Sequence, residues 1–204
     1  MYNVARNNFY ENDKNSSVMT PDRLSAFIFR TIHKNIADGL IIDPCVGEGS
    51  LLKPFKENGF QTLGIDIEDY GFPDTRIENF LSIEKGEVPT PALVIANPPF
   101  NINRETTFHI ARRYGRRPLL PEVWLQKSIE LWGRDIPIVL FAPYGLRLNQ
   151  SLGSKRWQRF ILGIYPEIQS IIALPKDIYK EVLFHSEVLI FNIHGLKGHY
   201  FYNG

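Results

Sequence analysis

The sequence predicts an α/β fold, a mostly parallel sheet with helices on both faces. Apolar, β-branched runs recur along the chain at residues 39–43, 62–66, 92–96, 136–142, 170–174 and 188–193. They are continuous rather than alternating, which suits strands buried on both faces of a parallel sheet. Four of the runs end at a proline, namely Pro44, Pro98, Pro143 and Pro175. Proline cannot donate to a sheet ladder, so these positions mark strand ends. In an open parallel sheet the C-terminal strand ends are where ligands bind.

The helices follow from spacing. Leu24, Phe27, Ile28, Thr31 and Ile32 recur at helical intervals ahead of the first strand, with Thr20 placed as N-cap and Pro21 in the first turn. Residues 50–57 set Leu51, Leu52 and Phe55 on one side of a second helix, which Gly59 caps. Trp124, Leu125, Ile129 and Trp132 mark a third. The link from Pro175 to Glu187 lacks the helical pattern of a parallel crossover, so the final strand is expected to run antiparallel, as a hairpin partner.

A chain of 204 residues, 44% hydrophobic and 22% charged, is sized for one globular domain with a substantial core. The polar, Asn-rich first 17 residues are expected to be flexible. With 23 basic and 22 acidic residues the net charge is +1, so any contact with nucleic acid must be local rather than a property of the whole surface. The lone Cys45 excludes an internal disulfide framework, and the five histidines show no zinc spacing, so no metal is expected. There is no signal-like start, and no apolar run approaches the ~20 residues that span a bilayer. A soluble protein in a reducing, cytoplasmic setting is expected.

Two segments carry chemistry. The first is Asp43-Pro-Cys-Val-Gly-Glu-Gly-Ser50, between a strand and a helix, where Gly47 and Gly49 allow a tight turn and close approach of a ligand. The next strand ends at Asp66, about 20 residues on, where a nucleoside-binding sheet places a carboxylate for ribose hydroxyls. The second is Asn97-Pro-Pro-Phe100. Its prolines stiffen the strand end and direct the Asn97 amide oxygen and a main-chain carbonyl into the crevice, as acceptors for an NH₂ group. Phe100 offers a flat face on which a planar ring could stack, worth about 1–3 kcal/mol.

At this point the sequence resembles the adenine-specific amino-methyltransferases of DNA. Met19-Thr-Pro21, the glycine motif and Asn97-Pro-Pro-Phe100 follow one another in the γ-type order. The tail, Ile171-Ile-Ala-Leu-Pro175 and then Glu187-Val-Leu-Ile-Phe191, is similar to that of type I restriction-modification methylase subunits. The resemblance covers nearly the whole chain. It implies a Rossmann-like methyltransferase fold with a seven-stranded sheet, and S-adenosyl-L-methionine as cofactor.

By that resemblance Thr20 and Pro21 sit near the methionine carboxylate, and Asp43, Pro44, Cys45, Gly47 and Gly49 line the methionine moiety. Asp66 holds the ribose and Ile67 packs on the cofactor's adenine. Asn79 and Phe80 stand where the family commonly has Asp-Phe, which recognises the adenine amine. Asn97, Pro98, Pro99 and Phe100 form the catalytic tetrapeptide.

DNA with a flipped-out or single-stranded adenine is the implied substrate. Tyr179 or Phe184 is a candidate second ring on the target base, and Arg104, Arg112, Arg113, Arg116 and Arg117 are candidates for gripping phosphates. Lys155, Arg156 and Arg159 read rather as a solvated helix face. No separate target-recognition domain is visible, so a specificity subunit is a candidate partner. Similar tetrapeptides occur in guanine-amine methyltransferases of ribosomal RNA and in protein glutamine methyltransferases, and a non-catalytic role in a restriction-modification assembly is a further alternative.

Overall fold

The computed structural model describes residues 19–100, 110, 112–114, 119–148, 150–179 and 184–204. The N-terminal stretch expected to be flexible lies outside them. The strands are β1 (Leu40–Asp43), β2 (Gln61–Asp66), β3 (Thr75–Ile77), β4 (Leu93–Ala96), β5 (Ile138–Pro143), β6 (Ile168–Ala173), β7 (Ser186–Phe191) and β8 (His199–Phe201). The helices are α1 (Asp22–Ile32), α2 (Lys53–Glu57), α3 (Leu120–Trp132) and α4 (Lys155–Ile161). Among the described residues no helix is long and apolar enough to cross a membrane.

All eight strands form one sheet in the order β3, β2, β1, β4, β5, β7, β6, β8. Only β7 runs against its neighbours, pairing antiparallel with both β5 and β6, as expected of the strand after Pro175. One strand more than the expected seven is present. The strand read as final is followed by β8, which pairs parallel with β6. Like β3 it is a three-residue edge strand, too short for a hydrophobic run to reveal.

Neighbouring residues of one strand point to opposite faces, and here both faces are covered. Ile42, Val94 and Leu140 pack with Leu120, Val123 and Leu125 of α3. Ile41, Ile95 and Phe141 pack with Leu24, Ile28 and Ile32 of α1 and Phe55 of α2. Each such side chain, fully enclosed, contributes about 1.5–3 kcal/mol through burial.

Two local expectations are corrected. The N-cap position of α1 is Pro21, with no side-chain cap bond, and Thr20 is used elsewhere. Arg156 and Arg159 are not a solvated face: Arg156 lies 2.7 Å and Arg159 3.2 Å from the buried carboxylate of Glu122 in α3. The Tyr165 hydroxyl donates to Glu122 at 2.8 Å. A carboxylate taken out of water needs such partners, and these tie α4 to α3.

Candidate active site

The chain builds outward from β1 to β3, then returns to place β4 on the other side of β1. The crevice at such a reversal is where open α/β sheets bind ligands. Here the C-terminal ends of β1 and β4 carry Asp43 and Asn97. One cavity is lined by Met19, Thr20, Asp43, Cys45, Val46, Gly47, Glu48, Ser50, Leu51 and Asn97. Residues from three separate sequence segments therefore meet in one place.

The loop after β1 is fixed by its own hydrogen bonds. Asp43 Oδ1 accepts from the Cys45 backbone N–H at 3.0 Å, and the Trp124 indole N–H donates to the Pro44 carbonyl at 3.2 Å. Gly47 has φ +50°, and its N–H donates to Asp66 Oδ2 at 2.9 Å. Gly49 has a different reason to be glycine. A Cβ there would lie 2.1 Å from the Phe72 ring, so Gly49 serves packing beneath the loop.

Asp43 is buried, and among the described residues no cation stands beside it. Burial pushes its carboxyl up from 3.8 to about 7, against the pull of the Cys45 backbone bond. Burial also pushes the Cys45 thiol well above its ordinary range, with Asp43 adding to the rise. Cys45 is therefore a neutral lining group and not a thiolate nucleophile.

At the end of β2, Asp66 is tied to the Gly47 and Glu68 backbone N–H groups, and Ile67 is 67% exposed beside it. Asn79 caps the turn Phe80–Ser82, its Oδ1 accepting from the Leu81 N–H at 3.0 Å. The oxygen assigned by resemblance to adenine recognition is thus already engaged by backbone. Phe80 is buried and packs on Trp124 and Trp132.

Asn97 follows β4 directly. Its Nδ2 donates to Thr20 Oγ1 at 3.0 Å. In this orientation Oδ1 is the acceptor that Asn97 offers to the cavity it lines. Pro98 is buried, while Pro99 and Phe100 are half-buried. Phe100 stacks on Phe184, with centroids 4.8 Å apart and planes at 23°.

Tyr179, the other ring considered for the target base, is only 4% exposed and offers no open stacking face. Its enclosure beside Asn97 replaces that expectation. Arg112 and Arg113 are exposed, and Arg113 pairs with Glu130 at 2.8 Å. Arg104, Arg116 and Arg117 lie outside the described residues. Phe72 and Trp124, which support the loop after β1, carry no site signal in the sequence, although Trp124 is visible there as a helix residue.

No family model and no curated protein matches the sequence. Solved structures do share its fold. A Listeria monocytogenes protein, provisionally classed as a class I S-adenosylmethionine-dependent methyltransferase, superposes with a TM-score of 0.64 at 15% identity, over 91% of this chain and 65% of that one. The methyltransferase subunit of a type I restriction-modification system from Streptococcus thermophilus gives 0.62 at 18% identity, over 90% of this chain and 47% of that one. The type IIG restriction endonuclease BpuSI gives 0.63 at 20% identity, over 91% and 26%. The chain thus spans less than two thirds of the length of each. It shares with them a Rossmann-like α/β fold.

Proposed function

We propose that this chain transfers a methyl group from S-adenosylmethionine to the exocyclic amine of adenine in DNA. The observation that carries the reading is the Asn97 amide at the end of β4, anchored through Nδ2 to Thr20 beside the Asp43 loop. The cofactor suits the cavity. It is cationic, and the buried Asp43 carboxylate lacks a cation among the described residues. Gly47 lines the cavity with a backbone at φ +50°, and Ile67 offers an exposed apolar surface for a ring.

When bound, the cofactor supplies an activated methyl group on a sulfonium. The residues of this chain do the rest. The lone pair of an aromatic amine is delocalised into its ring, which makes it a weak nucleophile. Hydrogen bonds from that NH₂ to Asn97 Oδ1 and to the Pro98 carbonyl favour a tetrahedral nitrogen and so localise the lone pair. The work of the site is orientation and fixed dipoles, with no strong base required. A base within a duplex cannot reach this crevice, so the target is extruded or single-stranded. The Phe100–Phe184 pair supports its stacking. Inserting a base between the rings requires them to part from 4.8 Å to roughly 7 Å, twice the ~3.4 Å spacing of stacked bases.

A separate specificity subunit is a candidate partner, since the Streptococcus thermophilus protein that shares the fold is itself a subunit of a type I restriction-modification system. The test is transfer of labelled methyl to DNA by the wild type and by Asn97→Ala, with cofactor affinity measured alongside. Transfer lost and cofactor affinity kept is the expected result. Equal transfer by both proteins would remove Asn97 from the mechanism. Label in RNA or protein alone would keep the chemistry and change the substrate.

A further inference from the structure

Among the described residues, the hydroxyls of Tyr179 and Ser186, enclosed at the end of the sheet that carries Asn97, have no completed hydrogen bond. Tyr179 is 4% exposed and Ser186 fully buried. Buried hydroxyls without partners are disfavoured and uncommon, and two side by side call for an explanation. Ser186 opens β7 opposite Pro143 at the end of β5, and β5 lies next to β4, which delivers Asn97. The Tyr179 hydroxyl is within interaction range of the Ser186 and Asn97 side chains, short of a formed hydrogen bond.

We propose that Tyr179 is a positioning residue for Asn97: its oxygen takes the second Nδ2 proton of the amide, and its own proton goes to Ser186 Oγ. This rests on the amine-methylation reading above, and it concerns only which way the Asn97 amide points. An asparagine amide has two N–H donors and one carbonyl acceptor. Thr20 Oγ1 accepts one of those protons at 3.0 Å. That bond alone does not fix the amide, because a hydroxyl can equally donate to the oxygen of a flipped amide. The direction is set only if a neighbouring hydroxyl has its proton committed elsewhere. Ser186 provides that commitment for Tyr179, so lone pairs face the amide and Oδ1 is turned to the substrate.

The relay distinguishes itself from simple packing by an unusual pattern. Tyr179→Phe removes one acceptor and lowers kcat about five- to tenfold, with cofactor Kd and DNA KM nearly unchanged. Ser186→Ala frees the tyrosine proton to donate to the oxygen of a flipped Asn97 amide, an arrangement that competes with the productive one and turns Nδ2 instead of Oδ1 toward the substrate amine. It is therefore the more damaging change, despite being the more distant. Adding Tyr179→Phe to Ser186→Ala removes the competitor and restores kcat to the Tyr179→Phe level. A merely structural role gives no rescue.

The readout independent of activity is the pair of Asn97 side-chain amide protons followed by NMR with the cofactor bound. Both should be protected from exchange in the wild type, and Tyr179→Phe should release one of them. Loss of that protection with the rescue pattern supports the proposal. Unchanged protection in Tyr179→Phe overturns it, whether or not the wild type methylates DNA. Absence of methyl transfer by the wild type, with protection lost in Tyr179→Phe, counts against the proposed reaction and leaves the positioning of Asn97 established.

Discussion

Replacing Asp43 by asparagine should stabilise the cofactor-free protein, and more so as the pH rises. Asp43 is buried at the end of β1, and its carboxyl is raised from 3.8 to about 7, burial being the largest cause. A carboxyl raised in the folded state binds its proton more tightly there than in the unfolded chain. Its contribution to stability is therefore intact below about pH 4 and is lost progressively up to about pH 7. The rise corresponds to about 4 kcal/mol at full ionisation, a ceiling set by burial. Near pH 5 the unfolded chain is already ionised while the folded protein is still protonated, and about half of the loss has accrued. The remaining ~2 kcal/mol falls between pH 5 and pH 7.

The amide in the Asp43→Asn protein would keep an oxygen for the Cys45 N–H and carry no charge. Urea unfolding of both proteins at pH 5, 6 and 7 measures the effect, provided the m-values agree. The stability difference should widen by about 2 kcal/mol in favour of Asp43→Asn over that interval. A difference that stays constant from pH 5 to 7 would show that Asp43 meets no such penalty. Saturating cofactor should narrow the gap, because a bound cation offsets the buried charge of the wild type alone.

Other perturbations probe the remaining parts of the account. Asn97→Ala should lower the rate of methyl transfer by at least about 10²-fold, comparable to losing a fixed dipole at a reacting centre, with cofactor Kd by calorimetry changed little. Phe184→Ala should cost about 1–3 kcal/mol of base stacking, read as weaker binding of a single-stranded oligonucleotide in fluorescence anisotropy. Gly49→Ala meets the Phe72 ring at 2.1 Å in addition to an unfavourable φ of +79°. A loss of about 2–4 kcal/mol is expected in thermal unfolding. Gly59→Ala is its control, since it shares the positive φ but has nothing within 4 Å. Glu122→Leu strands the guanidinium groups of Arg156 and Arg159 and should cost about 3–5 kcal/mol, measured by urea unfolding.

The central strands β1, β2, β4, β5 and β7 were legible because burial on both faces demands continuous apolar runs. The edge strands β3 and β8 were not, since three residues with an open side leave no such trace. The site was legible where chemistry requires a particular residue type, as at Asp43, Gly47 and Asn97. It was less so where the role depends on a partner distant in sequence. Thr20 looks like a helix cap until β4 brings Asn97 to its hydroxyl, 77 residues away in the chain. Gly49 reads as a ligand-facing glycine until Phe72 is seen against it. Arg156 and Arg159 read as solvated because the carboxylate that pairs with them belongs to another helix. Tyr179 and Phe184 were equivalent aromatic candidates in sequence, and only folding separates them, one enclosed beside Asn97 and the other stacked on Phe100.

The most direct measurement of the central claim is the identity of the methylated product. Unmethylated DNA is incubated with the protein and isotopically labelled S-adenosylmethionine, digested to nucleosides and analysed by mass spectrometry. The account predicts labelled adenosine methylated on its exocyclic nitrogen, absent when Asn97→Ala replaces the wild type. Label on a ring carbon of a pyrimidine, or equal label from the Asn97→Ala protein, would contradict it.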